Sequence, residues 1–548
     1  MDNKVEDNSL LKYIFLFLAI GTIMIYCISN IFHYKTMLDA DMASEAVLTK
    51  VIADNGFVQP DTWIASTETR IISAPNIAAV LNRLTGDLSV SMGMACSILL
   101  IILVVLMAIY YGRIGFSSVA GAIAVLVPLV VASNIRQSLS MFALLACYYS
   151  PHLIVFFYML ILWETEVDTK TKHYVMEVIG VILAVLMGLQ GMRGLLMVYI
   201  PLTGTHLVLS LYDTIRNKKI CVSYQALYTV LVSIISFICM KMNSIFGEST
   251  SRNLRHGTEK LINEVLPDVV SLYTEDKYSS YCILVLAVLS AAGFILLLLK
   301  KVFKEDKNKS VVDTSDDNKN ADNVTDNNRR TINSNIPEMN IRHRSLLAIP
   351  AAFIFIVLAF AYTTIESASR YYIVSIFVIG VGVALIWDNY YLPRRLMHII
   401  RAVIVVAALI VTFTTDINVY TSMIKADNTA ESSEQKVIDY VLQNGCEAGY
   451  STFDYSNILS VYGNGDIIIA SINSFEDMDG TKWLSDESFY GDYVGTDMTT
   501  AYIATKEHIE EMENFIENNN LTEDDYLYKK IGYYYVYILN RNYTSMSE

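Results

Sequence analysis

Three carboxylates lie in the polar stretch that follows the first hydrophobic run. Asp39 and Asp41 stand in "MLDADMASEA", and Glu68 stands in "PDTWIASTETR". An ionised carboxylate is costly in hydrocarbon, so acids beside a membrane helix must lie at the interface or in a hydrated cavity. There a carboxylate can act as a general base and take the proton from a hydroxyl nucleophile. The alternative is a solvated helix boundary, and spacing alone does not decide, because Asp-x-Asp recurs at Asp477 and Asp479.

Arginine is the second residue type with chemical potential. Four arginines lie at the ends of hydrophobic runs that we place on the outer side: Arg136, Arg193, Arg255 and Arg370. Basic residues are depleted in short outer loops, and Arg193 and Arg370 run against that bias. A guanidinium group binds phosphate through two parallel hydrogen bonds, so two or three converging arginines would form an anion site. The alternative is contact with lipid headgroups.

His152, in "YYSPHLIVFFY", lies in or beside a hydrophobic run. An ionisable group inside a membrane is a functional candidate, although a neutral, hydrogen-bonded histidine is the commoner case. The sequence contains no HExxH, no Walker loop and no GxSxG between a strand and a helix. It therefore gives no support to zinc chemistry or nucleotide hydrolysis.

These side chains must be positioned by membrane helices. The chain has 548 residues, of which 53% are hydrophobic, and a mean hydropathy of +0.40, which is too apolar for an ordinary soluble protein. A crossing needs about 20 mostly apolar residues, and about eleven segments qualify, starting near residues 12, 91, 116, 139, 174, 194, 223, 278, 345, 371 and 396. The sequence predicts an α-helical polytopic membrane protein.

Basic residues in short loops predict the orientation. The stretches "RNKK", "KKVFK" and "PRRLMHIIR" fall on one side of the predicted crossings, together with the N-terminus. That side is predicted to be cytoplasmic. The loop 33–90 and the C-terminal tail then face outward, so we expect a multi-pass protein of the cell membrane with an extracellular C-terminal domain.

The charge distribution supports this division. From Asp416 onward the chain has 24 acidic and 7 basic residues, a net charge of −17, against −15 for the whole chain. An acidic tail repels nucleic acid, so no nucleic-acid partner is expected. Six of the seven cysteines lie in or beside membrane segments, which leaves no disulfide framework.

Four regions follow from composition. Residues 1–301 form a membrane domain interrupted by the first outer loop, 33–90. Residues 302–344 are rich in Asn, Asp and Lys and are predicted to be a disordered cytoplasmic linker. Residues 345–414 form a second group of membrane helices. Residues 415–548 alternate helical and strand patterns, which predicts a small extracytoplasmic α/β domain.

The first outer loop has a helical pattern of its own. After Asp41, the apolar residues Ala43, Ala46, Val47 and Val51 recur at helical spacing, with polar residues between them. This pattern predicts a short amphipathic helix that lies along the membrane surface.

The order of these features resembles the GT-C glycosyltransferases. These integral membrane enzymes, related to protein O-mannosyltransferases and aminoarabinose transferases, take a sugar from a polyprenyl-phosphate carrier on the non-cytoplasmic face. "DADMASEA" stands where the family has its first-loop acidic motif, and "PDTWIASTET" resembles its Trp-containing segment. "GLQGMRGLLMVYIPL" is similar to a mid-chain crossing, "SRYYIVSIFV" to a late Arg-Tyr helix start, and "GYSTFDYSNILSVYGNGDIIIASI" to the outer domain of some bacterial members. The resemblance covers most of the chain except 302–344.

The resemblance implies a role for each candidate residue. Asp39 or Asp41 would be the catalytic base, and we favour Asp41 because it begins the interfacial helix and lies one residue further from the hydrocarbon. Glu68 would be a second active-site acid. The remaining candidates are Arg193, Arg370 and Arg136 for the carrier phosphate, with His152 and Tyr371 beside them.

The resemblance also implies the chemistry and the partners. A lipid phosphate is a good leaving group, so the enzyme would deprotonate an acceptor hydroxyl and invert the anomeric centre by direct displacement. The donor would be a polyprenyl-phosphate-linked sugar, and the acceptor an envelope glycan, lipid or protein. Some family members require a divalent metal such as Mg or Mn, for which Asp39 and Asp41 would be the ligands, and others do not.

Two other classes of function compete with a transferase. One is a transporter or flippase of lipid-linked sugars, although transporters often contain inverted repeats and no repeat relates the two membrane groups. The other is a non-catalytic envelope scaffold whose tail binds partners. A scaffold predicts no activity that depends on Asp39, Asp41 or Glu68.

Overall fold

A computed structural model describes residues 9–66, 68–131, 139–165, 170–242, 256–274, 277–299, 344–388, 392–425, 429–490 and 497–546. Arg136 and all of the predicted linker 302–344 except Arg344 lie outside the described residues.

The membrane part is a bundle of apolar helices. The principal helices are α1 (Ser9–Phe32), α2 (Ala40–Asp54), α3 (Ala74–Thr85), α4 (Leu88–Arg113), α5 (Ser118–Val131), α6 (Ser150–Trp163), α7 (Lys170–Gln190), α8 (Met192–Asn217), α9 (Tyr224–Met242), α10 (Lys277–Leu299), α11 (Ala348–Ala361), α12 (Val374–Trp387) and α13 (Arg394–Lys425). Among the described residues, eight helices are long and apolar enough to cross a membrane, and α5, α6 and α11 are shorter apolar helices. The predicted polytopic helical fold is confirmed.

The segment predicted to start a crossing near residue 139 differs from the structure. Helix α6 begins only at Ser150. Before it, the chain turns irregularly, and both Leu145 and Cys147 have left-handed backbone angles, with φ of 57° and 49°. Hydropathy did not distinguish this segment from a membrane helix, because residues 139–147 are buried and mostly apolar although only Ser140–Phe142 is helical.

A buried asparagine makes that irregular segment possible. The Asn30 side chain in α1 donates to the carbonyl of Ala143 and accepts from the amide of Leu145, both at 2.9 Å. Asn30 is fully buried, so these bonds satisfy backbone groups that water does not reach. The segment then delivers Tyr148 and Tyr149 to the end of the bundle that carries the first outer loop.

The helix predicted in the first outer loop is present as α2, but its environment differs from the prediction. Every residue from Met42 to Thr49 is buried, including Glu45. Helix α2 packs against α3 and α4 on one side and against a helix of the tail, Phe453–Tyr462, on the other. The prediction of a surface helix was wrong because neighbouring elements enclose α2: Arg70 of the following loop pairs with Glu45, and the tail helix packs against α2.

The tail forms the predicted α/β domain. Its main elements are α14 (Ser433–Gln443), β2 (Ala448–Thr452), α15 (Phe453–Tyr462), β3 (Ile469–Ile472), β4 (Ser485–Asp486), β5 (Thr500–Thr505), α16 (Ile509–Asn518), β6 (Tyr526–Ile531) and β7 (Tyr534–Leu539). A five-stranded sheet has the order β3-β2-β5-β7-β6. Strand β2 is parallel to β3 and β5, and β7 is antiparallel to β5 and β6.

The tail and the first outer loop lie at the same end of the bundle. A short strand in the loop, β1 (Trp63–Ile64), pairs antiparallel with β4. The Asn464 side chain of the tail also accepts from the Leu88 amide and donates to the Gly86 carbonyl, both at 2.9 Å. These contacts place the tail directly on the loop that carries the predicted acids.

Replacing Asn30 by leucine tests the support of the irregular segment. Asn30→Leu keeps the side-chain size but leaves the Ala143 carbonyl and the Leu145 amide unpaired. Each unpaired buried group costs about 1–3 kcal/mol, so we expect a clear loss of thermal stability in detergent. The matched control is Asn217→Leu at an exposed helix end, and equal melting temperatures for the two variants would contradict this account.

Candidate active site

The candidate site is assembled from four separate segments at one end of the bundle. They are the loop after β1, the segment that leads into the first turn of α6, the turn between α7 and α8, and the short turn Ser369–Tyr372 before α12, to which the start of α2 adds Asp41 as a fifth. Gln190 at the end of α7 joins two of them: its carbonyl accepts from Thr69 at 3.0 Å, and its side chain accepts from Ile72 at 2.9 Å. Gly191 follows with φ of 151°, a backbone angle that other residues rarely adopt, and so turns the chain towards Arg193.

Glu68 is the centre of the site. It is 3% exposed, and its Oε2 lies 3.1 Å from Arg70 and 3.4 Å from Arg193. Its Oε1 lies 3.3 Å from Nε2 of His152, although neither of these two atoms has a hydrogen bond of good geometry in the described residues. Burial alone would raise the pKa of Glu68, but Arg193, His152 and Arg70 outweigh it and lower the pKa to about 2. Glu68 is therefore ionised at any physiological pH.

A second buried carboxylate holds Arg70. The Arg70 Nε lies 3.0 Å from both oxygens of Glu45, and its Nη2 lies 2.6 Å from one of them. Burial opposes the charge on Arg70, but Glu45 and Glu68 together raise its pKa. The guanidinium also lies over the ring of Tyr148, 5.2 Å from its centre. Arg70 thus links α2 to the loop that carries Glu68.

Sequence reasoning missed Glu45 and Arg70 as members of the site. Glu45 is one of the polar residues in the helix predicted for the first outer loop, and Arg70 is two residues after Glu68; the sequence assigns a role to neither. One signal was available. Asp41 and Glu45 are four residues apart, which puts both acids on one side of α2.

Asp41 is the accessible acid of the site. Its Oδ2 lies 3.7 Å from Nη1 of Arg370, and the two side chains are 42% and 40% exposed. The hydroxyl of Tyr148 donates to the Asp41 carbonyl at 2.9 Å, which fixes the first turn of α2. Asp41 is thus a solvent-reachable carboxylate directly beside a cation.

Asp39 occupies a different position. It is the N-cap of α2, and its Oδ1 accepts from the amide of Met42 at 2.9 Å. A capping aspartate satisfies one of the free amides at a helix start. The structure therefore separates the two aspartates that the sequence left together.

Two arginines of the site each lie over a tyrosine ring. Arg193 lies over the ring of Tyr149 at 5.2 Å, and Arg370 lies over the ring of Tyr371 at 5.6 Å. Tyr371 in turn stacks on Phe360 with ring centres 4.6 Å apart. Burial raises the pKa of Tyr149 to about 12, while the charges of both Arg193 and Arg370 act to lower it. Both arginine side chains are partly exposed, Arg193 at 23% and Arg370 at 40%.

The structure brings together six of the predicted site residues: Asp41, Glu68, His152, Arg193, Arg370 and Tyr371. Asp39 lies at the adjacent helix start, and Arg136 lies outside the described residues. Their roles in a reaction stay predictions.

The described residues do not form an evident metal site. No three histidine, cysteine, aspartate or glutamate side chains among them are grouped so as to hold one ion. Of the two predicted ligands, Asp39 accepts from a helix amide and Asp41 faces Arg370. Asp39 and Asp41 are therefore too few oxygen ligands, among the described residues, to fit a bound Mg or Mn ion, and metal dependence stays a prediction.

A cavity of about 540 Å³ lies at the other end of the bundle. Its wall includes the stacked rings of Trp163 and His206, 3.7 Å apart, and the ion pair of Asp213 with Arg344 at 2.6 Å. Trp163 ends α6, whereas His152 near the start of the same helix contacts Glu68. The cavity is therefore separate from the candidate site.

Comparison with known proteins finds likeness in fold alone. No protein-family model and no curated protein matches the chain. The crystal structure of ArnT from Cupriavidus metallidurans bound to undecaprenyl phosphate matches with a TM-score of 0.54 and 10% identity, over 97% of this chain and 99% of that one. The apo structure of the same protein matches with a TM-score of 0.52 and 11% identity, over 99% and 100%. The chain described here shares its fold with these two ArnT structures, as the resemblance of its sequence implied.

Replacing Glu68 by glutamine tests the central charge group. Glu68→Gln removes a buried anion that compensates Arg70 and Arg193, and breaking a buried ion pair from one side costs about 3–5 kcal/mol. We expect a large fall in the thermal stability of the purified protein. The control is Asp54→Asn, which removes an exposed ion pair with Lys50 that is worth at most about 1 kcal/mol.

The pH dependence gives a second check on the same variant. The folded-state pKa of Glu68 is depressed, so its contribution is fully present above the ordinary value of 4.5 and is lost as the pH falls towards 2. The stability difference between wild type and Glu68→Gln should therefore shrink as the pH falls from about 4.5 towards 2. A difference at neutral pH no larger than that of Asp54→Asn, or one that grows as the pH falls over this range, would contradict the assignment.

Proposed function

We propose that this protein is a membrane glycosyltransferase that takes a sugar from a polyprenyl-phosphate carrier and transfers it to an acceptor hydroxyl. The proposed acceptor is an envelope glycan, lipid or protein on the outer face of the membrane. Support comes from the fold shared with ArnT, which is known in a form bound to undecaprenyl phosphate, and from the residues at the candidate site.

The observation that carries the proposal is the contact between Asp41 and Arg370. An accessible carboxylate lies 3.7 Å from an accessible guanidinium, at the same end of the bundle as Arg193. A transferase that uses a lipid-phosphate donor needs this combination, a base for the acceptor beside a cation for the departing phosphate. Neither a boundary between helix and water nor a scaffold requires it.

The proposed reaction is a single displacement. The acceptor oxygen attacks the anomeric carbon and forms the new glycosidic bond while the bond from that carbon to the phosphate oxygen breaks. Asp41 receives the proton of the acceptor hydroxyl. The electron pair of the broken bond stays on the polyprenyl phosphate, which leaves with one more negative charge, and the anomeric configuration is inverted.

The two arginines act on the leaving group. The charge that develops on the phosphate is stabilised by guanidinium groups already in place, so the protein does not reorganise during the reaction. Arg193 and Arg370 are both partly exposed, so each guanidinium group is accessible to a phosphate. The rings of Tyr149 and Tyr371 limit where the two guanidinium groups can move.

Glu68 serves in this proposal as a positioning residue. With a pKa of about 2 it is a very weak base, and its buried side chain is surrounded by Arg70, Arg193 and His152. Its function is to hold Arg193 at a fixed place. This revises the role that the family resemblance implied for Glu68, from a second active-site acid to the anchor of a phosphate-binding arginine.

The pair Asp41→Asn and Asp39→Asn tests the proposal. Both changes remove one negative charge from the same helix start, but asparagine caps a helix as well as aspartate does. In proteoliposomes supplied with a radiolabelled polyprenyl-phosphate sugar, we expect Asp41→Asn to lower kcat by about 10²–10⁴-fold. Asp39→Asn should stay within about threefold of wild type, a change of less than 1 kcal/mol.

The outcomes separate the competing functions. Equal loss in both variants would overturn Asp41 as the base, and full activity in Asp41→Asn would overturn it as well. Movement of the labelled carrier across the bilayer without sugar transfer by the wild type would support a flippase in place of a transferase.

A further inference from the structure

The first outer loop is held by the tail immediately before it reaches the candidate site. The pairing of β1 with β4 places Trp63 opposite Asp486 and Ile64 opposite Ser485. The amide of Glu487 donates to the Thr62 carbonyl at 3.0 Å, which continues the same ladder. The loop then runs on to Glu68.

A buried carboxylate of the tail reinforces this junction. Asp486 is 1% exposed, and its Oδ2 accepts from the Thr62 hydroxyl at 3.0 Å. Its Oδ1 accepts from the Ser488 amide at 2.9 Å. A hydrogen bond to a buried carboxylate is stronger than one between neutral groups, and breaking it leaves charged oxygen without its donor.

The other end of the same loop is held by the membrane domain. The Arg70 amide donates to the Gln59 side chain at 2.7 Å, and the Thr69 amide donates to the Gln190 carbonyl at 3.0 Å. Glu68 lies between the anchor at Thr62 and the anchor at Thr69. Its position therefore depends on the tail on one side and on the α7–α8 turn on the other.

Further contacts make the tail continuous with the membrane domain. Val461 and Leu484 of the tail are buried in the same hydrophobic cluster as the membrane helices. The ring of Tyr462 lies under Lys35, 5.5 Å from its amino group. The tail therefore packs against the membrane domain and its first outer loop through a hydrophobic interface.

We infer that the tail is part of the donor site, because the Thr62–Asp486 bond positions the loop through which Glu68 holds Arg193. Asp486 and Thr62 are positioning residues, since the Thr62 hydroxyl donates to Asp486 and joins the loop to the tail. The consequence for binding rests on the proposed function, whereas the consequence for the order of the loop does not.

The pair Thr62→Val and Thr62→Ser tests the inference. Valine keeps the shape of threonine and removes the hydroxyl donor, whereas serine keeps the donor. In the sugar-transfer assay, we expect Thr62→Val to raise KM for the donor about 10-fold, which corresponds to a loss of roughly 1.4 kcal/mol of binding free energy. The kcat of this variant should stay within about twofold of the wild-type value. Thr62→Ser should behave as wild type, and Tyr528→Ala, at an exposed site on edge strand β6, should leave KM unchanged.

A reversible cross-link provides rescue. Ile64→Cys and Ser485→Cys face each other across the β1–β4 pair, and antiparallel partners lie at a separation that a disulfide can span. In the Thr62→Val background, oxidation should restore the wild-type KM, and reduction should raise it again. A KM that does not respond to oxidation, once mass spectrometry shows that the bond has formed, would overturn the positioning role.

Hydrogen exchange separates this inference from the proposed function. In Thr62→Val, the amides of residues 63–66 and 68–70 should exchange about 10-fold faster than in Thr62→Ser, because the same bond no longer restrains the loop. Unchanged exchange would show that the Thr62–Asp486 bond does not restrain the loop, whether or not the protein transfers sugar. Faster exchange with an unchanged donor KM would overturn the link to the donor site. If the wild type neither transfers sugar nor binds undecaprenyl phosphate, the proposed function is overturned. The exchange result alone then decides whether the Thr62–Asp486 bond restrains the loop.

Discussion

A buried negative charge that must be neutralised is the constraint on which this end of the molecule depends. Glu68 is buried away from water, and a buried carboxylate stays ionised only if neighbouring cations compensate its charge. Arg70 and Arg193 provide them from two different segments, and His152 contacts the same group from α6. Satisfying one charge thus fixes the relative positions of the first outer loop, the α7–α8 turn and the start of α6. Glu45 extends this arrangement to α2 through Arg70.

The acids of the site differ in how far they are buried and in how many cations they contact. Glu45 and Glu68 are enclosed and paired, which suits them to hold arginines and not to exchange protons. Asp41 is half-exposed and lies 3.7 Å from Arg370, so it can meet both water and an acceptor. One polar loop and one short helix therefore supply a rigid support and a reactive group. In the proposed reaction the rigid part sets the position of the phosphate, and the exposed part receives the proton.

Much of the fold was predictable because its causes are local. Apolar runs of membrane length predicted the helices, and the alternating patterns of the tail predicted its α/β domain. Topology then predicted that Asp41, Glu68, Arg193 and Arg370 share one end of the bundle, as they do. What the sequence did not predict depends on contacts between distant segments. The irregular chain before α6 requires Asn30, the burial of α2 requires the tail, and the pairing of Glu45 with Arg70 requires both elements to be in place.

The most direct test of the account is a structure of the protein in lipid nanodiscs with undecaprenyl phosphate. We expect the phosphate within hydrogen-bond distance, about 2.7–3.0 Å, of the guanidinium groups of Arg370 and Arg193, on the side that Asp41 faces. A phosphate bound in the cavity beside Arg344 at the other end of the bundle, or one that contacts neither Arg370 nor Arg193, would contradict it.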